Sequence, residues 1–166
     1  MKKAFKNVAL IGKYNAPEMR DNVLAMAEFL AAEQLDVFVE EQTAKHCNIA
    51  GYQLLSMSVI GERVDLAVVL GGDGTMLAVS RQLANSDIPL IGVNQGRVGF
   101  LTDVSSANML AEMRKIILGE FSIEQRILLT ATVMRNGQVV SHGRAMNDVV
   151  VNKSGMSRLI ELEVNI

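Results

Sequence analysis

Cysteine is almost absent from the sequence, which contains only Cys47. One cysteine cannot form an intramolecular disulfide, and without a second cysteine nearby it has no evident metal partner. We therefore interpret Cys47 as an ordinary thiol. Long apolar runs are missing too, because the apolar stretch at residues 8–11, after the basic amino terminus, is far shorter than a signal-peptide core or a membrane span. This second absence favours a cytoplasmic protein without membrane contact.

The chain has no large excess of positive or negative residues and no repeated segments. The net charge is −2, and the 16 basic residues are scattered rather than gathered in a stripe, which argues against a nucleic-acid partner. Internal repeats, low-complexity segments and proline-rich linkers are absent from the sequence. At 166 residues and 49% hydrophobic content, the chain is long enough to bury a core. Because the basic residues form no stripe, an anionic ligand would have to be bound by a few groups at one site and not by a broad positive surface.

Apolar patterns up to about residue 120 alternate between strand-like and helix-like. The segment at 64–70 is apolar almost throughout, as in a strand buried on both faces. The predicted strands are 7–12, 36–40, 64–70 and 88–93, the predicted helices are 16–34, 75–84 and 105–118, and 49–55 is ambiguous. Ser105 or Ser106 is a candidate N-cap of the last helix. This alternation predicts an α/β domain with a parallel sheet at residues 1–121.

The pattern changes after that point. A strand-like run at 127–134 is followed by Asn136-Gly137, a strong signal for a two-residue hairpin, and 138–141 can return antiparallel. Residues 148–152 and 158–166 are further strand candidates. We therefore predict that residues 122–166 begin a second, β-rich domain, of which the sequence supplies only a few strands.

The segment Gly71-Gly72-Asp73-Gly74-Thr75 directly follows a predicted buried strand and precedes a predicted helix, where open parallel sheets bind ligands. Its glycines let the backbone turn sharply and approach a phosphate, which the helix N-terminus also favours. A carboxylate beside a phosphate repels it, so Asp73 needs a function. A general base for an attacking hydroxyl or a partner for magnesium would supply one. The alternative is a tight turn in which Asp73 caps the helix.

A second glycine-containing stretch, GVNQGRVGFLTD at 92–103, also follows a predicted buried strand. Phe100 belongs to a small set of aromatic side chains, since the chain has five phenylalanines, two tyrosines and no tryptophan. An aromatic ring beside such a loop can stack on a nucleobase. The alternative is a core phenylalanine that anchors the loop.

Asn147 and Asp148 lie between the predicted hairpin and an apolar run at 149–151. An amide beside a carboxylate can hydrogen-bond ribose hydroxyls and the edge of an adenine. Taken alone, the pair is more typical of a turn than of a binding site.

Together, GGDGT at 71–75, IPLIGVNQGRVGFLTD at 88–103 and Asn147-Asp148 resemble, in order and spacing, the signatures of the NAD kinase family over nearly the whole chain. Diacylglycerol and sphingosine kinases share GGDGT, and phosphofructokinases have a variant of it. The lipid kinases, however, tend to follow it with a Glu, an Asn-Gly and a Pro-x-Gly-Thr-Gly-Asn stretch, where this chain has MLAVSRQLAN and NQGRVGFLTD. The second motif therefore separates the families.

The resemblance implies a Rossmann-like, phosphofructokinase-like sheet domain followed by a β-rich domain. It also implies transfer of the γ-phosphoryl group of ATP, with Mg²⁺, to the 2′-hydroxyl of the adenosine ribose of NAD, which makes NADP. NAD and ATP are the expected ligands, and the complete protein is expected to be a homo-oligomer. The alternatives are a lipid or sugar kinase of the same superfamily, and a nucleotide-binding fragment without catalysis.

By the same resemblance Asp73 deprotonates the ribose hydroxyl, glycines 72 and 74 approach the phosphates, Phe100 lies against the adenine, and the pair at 147 and 148 binds ribose and base. A cation at position 158 then lies near the dinucleotide, or is simply a solvated strand-end cation. The implied nucleotide-binding residues are Gly71, Gly72, Asp73, Gly74, Thr75, Asn94, Phe100, Asn147, Asp148 and Arg158. Complete family members continue past the equivalent of Ile166 with Gly-Asp-Gly and Thr-Pro-Thr-Gly-Ser segments. We therefore expect a half-built dinucleotide site and little activity from these 166 residues alone.

Overall fold

The computed structural model describes residues 4–96, 99–152 and 163–164. The chain divides into two compact units, residues 1–127 and 128–166, and each unit is described by itself. The predicted strand at 158–166 lies almost entirely outside the described residues, as do Arg158, Arg97 and Val98. Within the described ranges, no helix is long and apolar enough to cross a membrane.

The first unit alternates strands and helices. Its strands are β1 (Asn7–Gly12), β2 (Asp36–Glu40), β3 (Gln53–Leu55), β4 (Leu66–Leu70), β5 (Leu90–Asn94) and β6 (Val104–Ser105). Its helices are α1 (Arg20–Ala32), α2 (Glu41–His46), α3 (Met57–Arg63), α4 (Asp73–Gln82) and α5 (Met109–Ile117). Short 3-10 turns at Pro17–Met19 and Ser106–Asn108 lead into α1 and α5. The predicted α/β class is confirmed.

All six strands form one parallel sheet in the order β3-β2-β1-β4-β5-β6. Both faces of the sheet are covered. Val8 and Leu10 of β1 face a core shared with α1 and α5, whereas Ala9 and Ile11 face a core shared with α3 and α4. This two-sided burial explains why β4 is apolar at every position, since a strand covered on both faces has no solvent side.

The strand order creates a crevice between β1 and β4. From β1 the chain proceeds outward to β2 and β3, and then returns to the other side of β1 to form β4, β5 and β6. Gly12 at the end of β1 lies opposite Leu70 at the end of β4. The loops after these two strands therefore diverge, and such a switch point is where open α/β sheets bind ligands.

The second unit contains an antiparallel hairpin of β7 (Leu129–Arg135) and β8 (Gln138–Ala145). Asn136 and Gly137 have φ angles of 51° and 75°, as a two-residue turn with two left-handed residues requires. The hairpin prediction is confirmed, although β8 is longer than predicted. The predicted strand at 148–152 is wrong, because those residues are described without strand structure. A strand needs a partner for its hydrogen bonds, and the described residues supply none there.

Two short helices and one strand of the first unit were not predicted from the sequence. Helix α2 is polar and only six residues long, and its N-cap is Glu40, whose carboxylate accepts hydrogen bonds from the backbone N–H groups of Gln42 and Thr43. Helix α3 contains Gly61, which weakens a helical pattern. The two-residue strand β6 is too short to leave a pattern. At 49–55 only the last three residues form a strand.

The predicted N-cap of the last helix also differs from the structure. Ser105 precedes the 3-10 turn, but its side chain makes no capping hydrogen bond, and α5 begins only at Met109. The 3-10 turn replaces the predicted first turn of the α-helix.

Cys47 is buried, with 1% of its surface exposed, and its thiol lies 3.8 Å from the carbonyl oxygen of Ala16. Burial, reinforced by the negative charge of Glu18, raises the pKa of this thiol. A buried thiol with a raised pKa is a poor nucleophile. The structure therefore supports the interpretation of Cys47 as an ordinary thiol, and it places that thiol in the core.

Candidate active site at the carboxyl ends of the strands

The glycine loop joins β4 to α4. The N–H of Gly71 donates to the carbonyl of Val93, at 2.9 Å, which ties the loop to β5. A Cβ atom on Gly71 would collide with the side chain of Thr75, whereas one on Gly72 or Gly74 would meet no described heavy atom within 4 Å. Gly71 is thus a packing position, while Gly72 and Gly74 leave their backbone open to a ligand.

A pocket of about 360 Å³ opens between the loops after β1 and β4. The loop after β1 contributes Gly12, Lys13 and Tyr14, and the N–H of Lys13 donates to the carbonyl of Leu70 at 3.0 Å. The other side is lined by Gly72, Gly74, Thr75, Ala78 and Val79. Lys13 and Tyr14 are exposed residues that the sequence analysis missed. The available signal was their position directly after a buried strand at the switch point.

Asp73 is the first residue of α4, but its carboxylate bonds to another loop. Its Oδ2 accepts from the N–H of Phe100 at 2.8 Å, and its Oδ1 accepts from the N–H of Leu101 and the hydroxyl of Thr102, both at 3.0 Å. Helix α4 is instead capped by Gly72, without a side-chain hydrogen bond. The alternative in which Asp73 is only a helix cap is therefore wrong.

These hydrogen bonds lower the pKa of Asp73. The N–H of Leu101 has the largest effect, and the N–H of Phe100 and the hydroxyl of Thr102 add to it, while partial desolvation opposes them. The partial positive charge at the N-terminus of α4 acts in the same direction. Among the described residues, three hydrogen bonds reach the roughly four acceptor sites of this carboxylate, and the backbone N–H of Thr102 also contributes to the lowered pKa. Asp73 is therefore ionised at neutral pH and can accept from a further donor.

Asn94 ends β5 and is buried, with 8% of its surface exposed. Its amide Nδ2 donates to the hydroxyl of Thr102 at 2.9 Å, and its Oδ1 accepts from the N–H of Gly96 at 2.9 Å. The side chain therefore holds the loop that contacts Asp73. Thr102 is fully buried, and sequence reasoning missed it because a threonine in a loop motif carries no chemical signal by itself.

The ring of Phe100 is 74% exposed, so the alternative of a core phenylalanine is wrong. The guanidinium of Arg126 lies 5.5 Å from the centre of this ring, and Arg126 also pairs with Glu124 at 2.8 Å. Sequence reasoning missed this arginine, which lies outside the motifs. An exposed ring with a cation nearby offers a stacking surface to a flat anionic ligand.

The structure thus brings three predicted residues, Asp73, Asn94 and Phe100, into one network in the first unit. Asn147 and Asp148 belong to the second unit, where both are exposed and the amide of Asn147 donates to Oδ1 of Asp148 at 2.9 Å. Arg158 lies outside the described residues.

The described part of the chain contains no group of three or more His, Cys, Asp or Glu side chains that could hold a metal ion. Mg²⁺ commonly binds through one or two carboxylates and the phosphates of a substrate, retaining several waters. The carboxylate of Asp73 together with the phosphates of a bound nucleotide would be a donor set of this kind.

A model of the ATP-NAD kinase N-terminal domain matches residues 8–121. The chain belongs to the NAD kinase family. The matched range contains the parallel sheet apart from Asn7 at the start of β1, and it contains Asp73, Asn94 and Phe100. The family resemblance noted in the motifs is thereby confirmed.

Curated relatives in the NAD kinase family are similar along the whole of this chain. The NAD kinase of Aromatoleum aromaticum is 47% identical over 167 residues, covering 100% of this chain and 56% of the relative. The NAD kinase of Burkholderia lata is 46% identical over 162 residues, covering 98% of this chain and 54% of the relative. The chain therefore spans about half the length of these relatives.

Solved structures of NAD kinases share the fold. Yeast NADH kinase complexed with NADH has a TM-score of 0.71 at 21% identity, covering 86% of this chain and 47% of that one. An NAD kinase from Archaeoglobus fulgidus in complex with ATP has a TM-score of 0.54 at 24% identity, covering 80% and 45%. At these identities the likeness concerns the fold alone.

Proposed function

We propose that the protein is an NAD kinase, which transfers the γ-phosphoryl group of ATP to the 2′-hydroxyl of the adenosine ribose of NAD. The observation that carries this proposal is the position of Asp73. Its ionised carboxylate follows the open backbone of Gly72 and accepts a hydrogen bond from the N–H of Phe100, whose side chain is exposed, and we assign to it a further hydrogen bond from a ribose hydroxyl. Phosphoryl transfer needs such an acceptor beside both reactants.

The donor nucleotide is assigned to the pocket between β1 and β4. Open backbone at Gly72 and Gly74, the N-terminus of α4 and the ammonium group of Lys13 together suit a chain of phosphates. The complex of the Archaeoglobus fulgidus family member with ATP supports this ligand class. Magnesium bound to the triphosphate would neutralise charge that develops on the transferring group.

The acceptor dinucleotide is assigned to the side of Asp73 that faces the 99–102 loop. Phe100 would stack on the adenine. In the second unit, the exposed amide and carboxylate of Asn147 and Asp148 are groups that can bind ribose hydroxyls and a base. Arg158 would contribute a positive charge near the dinucleotide. The complex of yeast NADH kinase with NADH supports a nicotinamide dinucleotide as the acceptor class.

In the proposed reaction the ribose oxygen forms a bond to the γ-phosphorus while the bond from that phosphorus to the bridging oxygen of ADP breaks. The hydroxyl proton passes to the carboxylate of Asp73. A lowered pKa makes Asp73 a weak base, but a loose phosphoryl-transfer transition state needs little deprotonation before the new bond forms. Orienting the hydroxyl is therefore the larger part of its role.

The organisation of the protein beyond the site is part of the same proposal. Residues 1–121 would be the α/β domain and 122–166 the beginning of a β-rich domain. The protein would be cytoplasmic and homo-oligomeric, without nucleic-acid or membrane partners. The scattered basic residues support the absence of nucleic acid.

The test is to express the full reading frame that contains this chain and to measure NADP formation from NAD, ATP and Mg²⁺. Parallel reactions replace NAD by NADH, diacylglycerol, sphingosine or hexoses. NADP formation that requires ATP is the expected result. Phosphorylation of a lipid or a sugar without NADP would favour the related kinases, and nucleotide binding without turnover would favour a non-catalytic module.

A further inference from the structure

A chain of side-chain hydrogen bonds leads from the interior of the first unit to Asp73. Asn94 Nδ2 donates to Thr102 Oγ1 at 2.9 Å, and Thr102 Oγ1 donates to Asp73 Oδ1 at 3.0 Å. The two inner members are 8% and 0% exposed. Buried polar groups need partners, and each member here satisfies the next.

The N–H of Gly96 determines which atom donates in each hydrogen bond from Asn94 to Asp73. The N–H of Gly96 can only donate, so the Asn94 oxygen must face it, which leaves the Asn94 amide nitrogen facing Thr102. The hydroxyl of Thr102 therefore accepts at that side. Its single hydrogen is then committed to Asp73.

Packing holds the middle of the chain in place. A Cβ atom on Gly92 of β5 would meet Cγ2 of Thr102 at 2.6 Å and its Cα at 3.0 Å. Thr102 thus lies directly on the backbone of β5, where a larger residue at position 92 would displace it. Threonine is also stiff at χ1, so its hydroxyl has little freedom once its methyl group is packed.

We propose that Thr102, itself oriented by Asn94, is a positioning residue for phosphoryl transfer. The proposal rests on the proposed function. Thr102 and the N–H of Leu101 both bind Oδ1 of Asp73, which fixes the rotation of the carboxylate plane. Oδ2, which accepts from the N–H of Phe100 at 2.8 Å, then presents its other lone pair in one direction for the ribose hydroxyl. In this proposal Thr102 acts through the Asp73 carboxylate, and Asn94 acts through Thr102.

The test compares three substitutions of Thr102 in the full reading frame, with kcat and both KM values measured for NADP formation. Thr102→Ser and Thr102→Ala both lose the methyl group and differ only in the hydroxyl, so they are a matched pair. Thr102→Val keeps the shape and loses the hydroxyl. Since a misplacement of about 1 Å costs about 10²-fold, we expect kcat to fall by about ten- to a hundredfold in Ala and Val.

The serine variant should retain kcat to within about threefold, because its hydroxyl can make the same two bonds. KM for NAD and for ATP should change by less than about twofold in all three variants, since the carboxylate orients a bound hydroxyl instead of binding the nucleotides. Asn94→Ala should lower kcat in the wild-type background and have no further effect in Thr102→Val, because coupled residues are not additive.

Equal kcat in the serine and alanine variants would overturn the proposal. So would a rise in KM for NAD that matches the fall in kcat, because that would mean that Thr102 only holds the loop of Phe100. Thermal unfolding will show whether the Thr102→Val protein is folded. If it is not, the comparison of kcat between Thr102→Ser and Thr102→Ala still tests the proposal. A wild-type protein that forms no NADP would instead refute the proposed function, and the inference would fall with it.

Discussion

The carboxylate of Asp73 accepts a hydrogen bond from the backbone N–H of Phe100, 2.8 Å away and 27 residues further along the chain. The first residue of α4 thereby holds the loop that exposes the Phe100 ring. The Asp73 side chain thus connects the glycine loop of the pocket with the loop of Phe100, whose ring we propose stacks on the adenine. Substitutions at Asp73 should therefore act on chemistry and on loop position together.

Asp73→Asn should lower kcat for NADP formation by about 10² to 10⁴, the usual cost of losing a positioned base. The amide has one acceptor oxygen, so it cannot accept from both Phe100 and the pair Leu101 and Thr102. A smaller rise in KM for NAD should accompany the loss. Steady-state kinetics of the full reading frame measure both effects, and near-normal turnover would show that Asp73 has no role in the chemistry.

Stability should depend on pH through the same carboxylate. Because folding lowers the pKa of Asp73, its contribution is fully present above the pKa of the unfolded chain and is lost as pH falls through the folded pKa. We expect the urea midpoint of the wild type to exceed that of Asp73→Asn at neutral pH. The difference should shrink below the usual pKa of aspartate and then vanish. A gap that stays constant across this acid range would contradict the assignment.

Gly99→Ala should disrupt the same loop. A Cβ atom at position 99 would overlap the carboxylate of Asp73, so the loop must move away from it. We expect kcat to fall by about 10²-fold and the thermal midpoint to drop. Gly143→Ala is the control, since its Cβ meets no described atom within 4 Å. Equal effects of the two substitutions on the thermal midpoint would argue against the close approach of Gly99 to Asp73.

Gly74→Ala should leave the fold intact and weaken ATP binding, because its Cβ would enter open space that we assign to phosphates. Gly71→Ala should instead destabilise the protein, since its Cβ collides with Thr75. Thermal unfolding separates the two effects, and KM for ATP measures the first. An unchanged KM for ATP in a folded Gly74→Ala protein would move the donor phosphates elsewhere.

Phe100 and Phe38 form a matched pair of aromatic substitutions. Phe100→Ala should raise KM for NAD at least about fivefold, since stacking on a base contributes roughly 1–3 kcal/mol, and should not change stability, because the ring is 74% exposed. Phe38→Ala should lower the free energy of unfolding by about 3–5 kcal/mol, because Phe38 is 7% exposed in the core. Isothermal titration with NAD tests the effect of Phe100→Ala on affinity, and urea unfolding tests the effect of Phe38→Ala on stability. A Phe100→Ala protein with unchanged NAD affinity would remove the ring from the site.

Much of the sheet could be predicted because its signals are local. The apolar run that became β4, the helical spacing of α1 and the Asn136-Gly137 turn each encode their own conformation. Helix α2 could not be predicted, because it depends on the buried carboxylate of Glu40 and on packing against β1. At 148–152 the local signal for a strand is present, but the described structure has no strand there. High β propensity is not sufficient, because a strand also needs a partner strand.

The sequence by itself determined the glycine loop, the carboxylate within it, and their position between a buried strand and a helix, because hydrophobic periodicity and glycine chemistry act over a few residues. Only the tertiary structure decided what the Asp73 carboxylate contacts. Its three donors belong to residues 100–102, and they reach it because β4 and β5 are neighbours in the sheet. Hydrogen bonds between residues so distant in sequence depend on strand order, which no local pattern specifies.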